Sequence, residues 1–148
     1  MRIEIIHENK EMALPLLALA DEPCFIKNYF ERGQLFGLYD DELRAVMLVT
    51  VENENWLEIQ NLAVAEKYQG QGYGSHLVGS FLDTVEHCPH HYKGIRVRTD
   101  EFTTHFYEKC GFSAYKRVKN YFPEKYGKPV FDKGCELIDN IYLKVELQ

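Results

Sequence analysis

The stretch Leu62-Ala63-Val64-Ala65-Glu66-Lys67-Tyr68-Gln69-Gly70-Gln71-Gly72-Tyr73-Gly74 decides how this chain is read. It begins as the end of an apolar strand, crosses a short polar spacer and enters a glycine-rich turn. Beyond it Leu77, Val78, Phe81, Leu82 and Val85 recur at helical spacing, so the turn joins a strand to an amphipathic helix. Glycines at such a junction let successive backbone amides face one concavity, and the helix behind them adds the positive end of its dipole. That combination holds phosphate oxygens without a basic side chain, although a plain tight turn has the same composition. Two other phosphate-binding patterns fail. No Gly-Lys-Ser/Thr follows, as a P-loop requires, and Ser75 stands where the dinucleotide fingerprint needs its last glycine.

The strand that feeds the turn, Trp56 to Val64, is apolar at odd positions Leu57 and Ile59, then at even positions Leu62 and Val64. A strand keeps a period of two, so a change of phase near Gln60-Asn61 indicates a β-bulge, unless both faces are buried. Further strands are read at Ile3 to Ile6, Leu35 to Tyr39, Leu43 to Val51, Ile95 to Thr99, Ala114 to Lys119 and Leu137 to Leu147. Asp40-Asp41 is the tight turn of a hairpin, and Ala45 to Val49 is apolar throughout, as a strand covered on both faces should be. Helices are expected from Glu11 to Leu19 and again after Asp21, which caps a helix with Pro23 in its first turn. Phe25, Ile26, Tyr29 and Phe30 form the buried stripe of that second helix, which Gly33 ends. A short helix runs from Thr103 to Cys110 and stops at Gly111, and Asn120 to Glu136 reads as a long loop. The order βααβββαβαββ mixes hairpins with crossovers, which predicts an α/β fold with one mixed sheet flanked by helices.

At 148 residues the chain is expected to form one domain spanning 1–148, with 45% apolar and 27% charged residues. Its 23 acidic and 17 basic side chains leave a net charge of −6, which disfavours nucleic-acid backbones and anionic membranes as partners. No apolar run is long enough to cross a membrane and Met1-Arg2-Ile3-Glu4 does not open a signal peptide, so a cytoplasmic location is expected. Cys24, Cys88, Cys110 and Cys135 lack CxxC spacing and read as reduced thiols. His87-Cys88-Pro89-His90-His91 has metal-binding residue types, but ligands packed this closely seldom close a tetrahedron, and no metal site is expected.

Leu62-Ala63-Val64, the spacer and Gln69-x-x-Gly72-x-Gly74 resemble the acetyl-CoA signature of the GCN5-related N-acetyltransferases, the GNAT superfamily. Downstream, Phe106-Tyr107-Glu108-Lys109-Cys110-Gly111-Phe112 is similar to that family's second common motif, and the order of elements fits over essentially the whole chain. The resemblance implies a mostly antiparallel sheet of about six or seven strands whose bulged central strand splays from its neighbour. It implies acetyl-CoA as co-substrate, with the pantetheine arm along the opened edge at Leu62, Ala63 and Val64. The pyrophosphate would then lie at the turn formed by Gln69, Gly70, Gln71, Gly72, Tyr73 and Gly74. The activity implied is transfer of an acetyl group to a primary amine by direct attack in a ternary complex, with the Leu62 amide facing the thioester carbonyl. Tyr107 matches the usual proton donor to the leaving thiolate, and Glu58 occupies a position where some members carry a general base, where many others use a chain of waters. A core tyrosine and an exposed structural glutamate are the plainer alternatives for these two residues.

The late aromatic residues Tyr115, Tyr121, Phe122, Tyr126 and Phe131, with Trp56, either line an acceptor pocket or pack the late loop against the sheet. A loop that closes over its substrate favours a small-molecule amine as acceptor. A protein or peptide amine, or a non-catalytic acyl-CoA-binding module, are the other readings, and Tyr107 speaks against the last. Monomer and homodimer both remain open. Asp40, Asp41, Glu58, Glu124 and Asp132 fall beside expected cleft elements, and a carboxylate-lined cleft would favour a cationic amine.

Overall fold

Alternation along the central strands organises the two faces of the sheet. The computed structural model describes residues 1–147. Strands β1 (Arg2–Ile6), β2 (Gln34–Asp40), β3 (Glu42–Glu52), β4 (Trp56–Val64), β5 (Gly94–Asp100), β6 (Ser113–Val118) and β9 (Asn140–Glu146) form one sheet in the order β1-β2-β3-β4-β5-β9-β6. The strands between, β7 (Val130–Asp132) and β8 (Cys135–Leu137), pair as a separate hairpin. Within the main sheet only β4 and β5 run parallel. The crossover between them is the helix α3 (Tyr73–Glu86), as a parallel pair requires.

Ala45, Met47 and Val49 on β3 point toward α3, where Leu77, Val78, Phe81 and Val85 complete the larger core. Val46 and Leu48 point to the other face, against Leu17 of α1 (Leu14–Leu17) and Ile26 of α2 (Pro23–Ile26). β3 is therefore buried on both faces, as its unbroken apolar run predicts. On β4, Leu57 and Ile59 face the α3 side, and so do Leu62 and Val64, whereas Ala63 faces α1 and α2.

Three sequence expectations are corrected. The first two helices are shorter than expected: α1 is preceded by a 3₁₀ turn over Lys10–Ala13, and the chain after α2 continues in turns. Lys10 pins those turns, its Nζ donating to the carbonyls of Phe30 (3.0 Å) and Gly33 (3.1 Å). The stretch Asn120 to Glu136 is not a plain loop, because it contains the helix α5 (Tyr121–Tyr126) and the β7–β8 hairpin. The last strand does not begin at Leu137. Glu101 accepts the Ile138 amide at 3.0 Å and Asp139 accepts that of Asn120 at 3.0 Å, so the chain turns between β8 and β9.

Candidate active site

The pairing of β4 with β5 runs from Trp56↔Gly94 to Ile59↔Val97 and no further, although β4 continues to Val64 and β5 to Asp100. The cause lies in β4 itself. Leu48 of β3 faces Asn61 while Val49 faces Ile59, so Gln60 is an extra residue, the bulge that the phase change indicates. A bulge bends its strand and sharpens the local twist, which turns the second half of β4 away from β5. Between Gln60 and Val64 the edge facing β5 has no partner strand. A cavity of about 820 Å³ fills the gap, lined by this edge, the glycine turn, the end of β5 and Tyr107. A second cavity of about 450 Å³ adjoins it and shares Ile59, Gln60, Arg98 and Tyr126.

At the turn, Gly70 (φ 77°) and Gly72 (φ 88°) are left-handed, a conformation that L side chains rarely adopt. A Cβ built on either would meet nothing within 4 Å, so the concavity is open. Gly72 is the N-cap of α3 and no side chain caps that end, which leaves first-turn amides for a ligand. Two glutamines fasten the turn from behind: Gln69 Nε2 donates to the Val64 carbonyl (3.0 Å) and Gln71 Nε2 to that of Lys67 (3.3 Å). The Tyr73 hydroxyl accepts from Arg44 Nη1 (2.6 Å) and donates to Asp40 Oδ2 (3.2 Å), tying the start of α3 to the β2–β3 hairpin. At Gly74 a Cβ would lie 3.4 Å from the Phe106 ring and 3.6 Å from Val64 Cγ2, because the helix crosses β4 closely there. Of the expected cofactor-side residues, Leu62, Ala63, Val64, Gln69, Gly70, Gly72, Tyr73 and Gly74 line the larger cavity. Gln71 is exposed in the turn and is not among its lining residues.

Tyr107 is carried by α4 (Thr104–Lys109) and is buried, with ring centroids 5.0 Å from Phe106 and 5.5 Å from Phe112. Burial pushes its phenol well above the ordinary tyrosine range, and charge at Cys110 and Asp100 adds to the shift. The hydroxyl thus keeps its proton across the neutral range while its residue lines the cavity. Asp100 accepts the amides of Phe102 (2.9 Å) and Thr103 (2.8 Å), which fixes the β5–α4 turn and so the place of Tyr107.

Glu58 is only 4% exposed. Arg96, its register partner on β5, donates from Nε to Oε1 at 2.8 Å, and Arg98 donates to Oε2 from Nη2 at 2.8 Å and from Nε at 3.1 Å. Two guanidinium groups thus occupy both of its oxygens, and the alternative of an exposed structural glutamate is corrected, because the side chain is buried. Asp21 is likewise not the helix cap expected of it. Its carboxylate accepts the hydroxyls of Tyr29 (3.1 Å) and Tyr126 (2.9 Å), and so joins the α1–α2 turn to α5. Both phenols are pushed up, chiefly by burial and then by the Asp21 charge beside them. On the bulge, Asn61 Nδ2 donates to the Tyr29 hydroxyl (3.0 Å) and the Leu17 carbonyl (3.0 Å).

The late aromatics divide. Phe122, Tyr126 and Phe131 line the larger cavity and Tyr121 the smaller, whereas Trp56 lies over Gly94 and Tyr115 packs on Tyr142. Of the acidic residues named for the cleft, Asp132 and Glu58 line it, while Asp40 is engaged by Tyr73 and Asp41 and Glu124 are exposed elsewhere. Sequence reasoning missed Asp21, Arg98 and Lys125 as lining residues. In the histidine-rich stretch, His90 bonds Asn55 at 2.9 Å, and His87 lies exposed beside Asp83 and Glu86 at the far end of α3.

A family model described as the acetyltransferase (GNAT) family matches residues 4–112. The chain belongs to the GNAT family. This GNAT protein is 30% identical to an uncharacterized N-acetyltransferase, YvbK, of Bacillus subtilis, over 99% of its own length and 97% of that protein's. Its fold superposes on a Bacillus subtilis acetyltransferase crystallised with CoA (TM-score 0.88, 28% identity, 99% of each chain). It also superposes on a GNAT acetyltransferase of Elizabethkingia anophelis with acetyl-CoA bound (TM-score 0.87, 29% identity, 99% and 97% of the chains). The enzyme is an acetyl-CoA-dependent N-acetyltransferase. The open glycine concavity and the unpaired β4 edge fit that co-substrate: one offers free helix-end amides and the other a strand edge. No helix among the described residues is long and apolar enough to cross a membrane.

Proposed function

We propose that this acetyltransferase modifies a primary amine of a small molecule. The observation that carries the reading is the wall over the splayed strands. The Tyr126–Asp21 hydrogen bond closes it, Phe25 and Tyr126 pack with ring centroids 4.8 Å apart, and Lys128 pairs with Glu22 at 3.4 Å. A peptide acceptor needs an open groove, whereas here Phe122 and Tyr126 of α5 line the cavity.

Acetyl-CoA supplies the acyl group as a thioester. The amides at Gly72, Tyr73 and Gly74 hold its phosphates, with the Gln71 amide as the outer donor, and the edge at Leu62, Ala63 and Val64 receives the pantetheine arm. The Leu62 amide donates to the thioester oxygen, and such a backbone donor is worth roughly 2.7–4 kcal/mol of barrier. The Tyr107 hydroxyl protonates the departing thiolate. Glu58 serves by fixing Arg96 and Arg98, and water takes the proton from the amine. Holding both reactants in contact supplies much of the remaining acceleration.

Thiol release measured with acetyl-CoA and two panels, small primary amines and unstructured peptides with free N-termini and lysines, tests the reading. Turnover of small amines at least tenfold more efficient in kcat/KM is expected. Preference for the peptides refutes it.

A further inference from the structure

The smaller cavity lies on the side of the splay away from the glycine turn and is lined by residues of both signs. Counting formal charge gives four carboxylates, Asp21, Glu52, Glu58 and Asp100, against three cations, Arg32, Arg98 and Lys125. That count points toward a cationic ligand. Hydrogen bonding decides instead which of these groups has capacity left for a ligand, and each of the carboxylates is already engaged by the protein. Asp21 accepts two tyrosine hydroxyls and the Glu22 amide. Glu52 accepts Thr50 Oγ1 (2.6 Å) and Arg32 Nη1 (2.8 Å). Asp100 is taken by the β5–α4 turn, and Glu58 by its two arginines.

The cations are less fully matched. Arg96 and Arg98 share the single carboxylate of Glu58, so that triad by itself carries one net positive charge. Arg98 uses Nε and Nη2 on Glu58 and also lies against Tyr142, so only part of its guanidinium is left for a ligand. Among the described residues Lys125 has no carboxylate within ion-pairing distance. Its Nζ stands over aromatic faces, 4.4 Å from the Phe25 centroid and 5.4 Å from those of Tyr121 and Tyr126. Those rings fix the ammonium at the cavity while their quadrupoles cannot neutralise it. The donors left for a ligand are thus the Lys125 ammonium and the remaining part of the Arg98 guanidinium, set beside aromatic walls.

From this pattern we propose that the amine acceptor carries a carboxylate, held by Arg98 and Lys125, on an apolar body that packs against the aromatic wall. This rests on the small-molecule reading above and names the substrate class within it. Arg98 and Lys125 are specificity-determining residues: they grip the acceptor's acid group while its amine reaches toward the splayed strands. A guanidinium fixed by a carboxylate partner is preorganised for a second one, and an aromatic-held ammonium adds a point charge.

The experiment is a comparison of matched acceptors that differ only in the acid, such as phenylalanine, phenylalaninamide and phenethylamine, in wild type and in Lys125→Glu and Arg98→Met. Lys125 is exposed on α5, so its substitution leaves the fold in place. Wild type should turn over the carboxylate-bearing amine with kcat/KM about 10- to 100-fold above its uncharged-tail partners, the worth of a hydrogen bond to a charged group. Lys125→Glu should remove about tenfold or more of that advantage. It should leave the KM for acetyl-CoA unchanged. Hydrocinnamate, which has the acid and no amine, should inhibit wild type competitively with the acceptor, and Arg98→Met should weaken that inhibition. If the tail without the acid, or a polyamine, is preferred and Lys125→Glu leaves the ratio unchanged, this inference fails while the small-molecule reading stands. If only peptides are turned over, both fail.

Discussion

Tyr107→Phe separates the chemical role of this residue from its packing. The ring sits between Phe106 and Phe112 at centroid distances of 5.0 and 5.5 Å, and phenylalanine keeps all of those contacts. Only the hydroxyl is lost, so stability should change by about 1 kcal/mol or less, a Tm shift of roughly 2–4 °C at this chain length. Loss of a positioned proton donor costs on the order of 10²-fold in kcat, about 2.7 kcal/mol. In the proposed arrangement, where the glycine-turn amides hold the phosphates, the KM for acetyl-CoA should stay put. Single-turnover thiol release under saturating acetyl-CoA reads the chemical step directly. The pH profile carries a further sign. Burial raises the Tyr107 phenol, so the donor form is lost only above the ordinary tyrosine value near 10, and wild-type kcat should show no decline from this group below that pH. A variant with kcat within threefold of wild type, chemistry being rate-limiting, returns Tyr107 to a packing role.

At Gly72, alanine must adopt φ 88° and place a methyl group in the open concavity, so acetyl-CoA affinity measured by calorimetry should fall at least tenfold. Glu58→Leu strands two guanidinium groups. Both are part-exposed, so the loss in denaturant-measured stability should be about 2–4 kcal/mol, below that of a fully buried pair; an unchanged midpoint means the ion-pair triad contributes nothing. Tyr29, Tyr107 and Tyr126 all have raised phenol values in the folded state, so their protonated forms are favoured by folding. That stabilisation is intact below about pH 10 and is lost as pH climbs further, so unfolding monitored by circular dichroism should show a steep alkaline decline. Tyr126→Phe should make that decline shallower.

The bulge at Gln60 was legible because burial has a period: Leu57, Ile59, Leu62 and Val64 share one face only if a residue is inserted between the pairs. The glycine turn was legible for a similar reason, since composition and position coincide. Glu58 was placed on its strand correctly, but its partners come from β5, where Arg96 and Arg98 alternate with Ile95 and Val97. Knowing that β4 and β5 are parallel neighbours is enough to put Arg96 beside Glu58, and that pairing is a tertiary fact. The late segment was illegible for another reason. α5 has six residues and β7 and β8 three each, shorter than any periodicity can register, and the turn before β9 is held by Glu101, 37 residues from Ile138. Asp21 reads locally as a cap; its tyrosine partners lie 8 and 105 residues away.

The one parallel pair in the sheet has a consequence for the order in which the molecule is made. β4, the glycine turn, α3 and β5 are a contiguous piece of chain from Trp56 to Asp100, so the co-substrate side can take shape while the polypeptide is still leaving the ribosome. The acceptor wall has no such independence. It needs Asp21 and Tyr126, which are 105 residues apart, and their hydrogen bond cannot form until Tyr126 has been synthesised and has left the ribosome. A nascent chain therefore completes the segment that carries the glycine turn before it completes the wall proposed to select the amine.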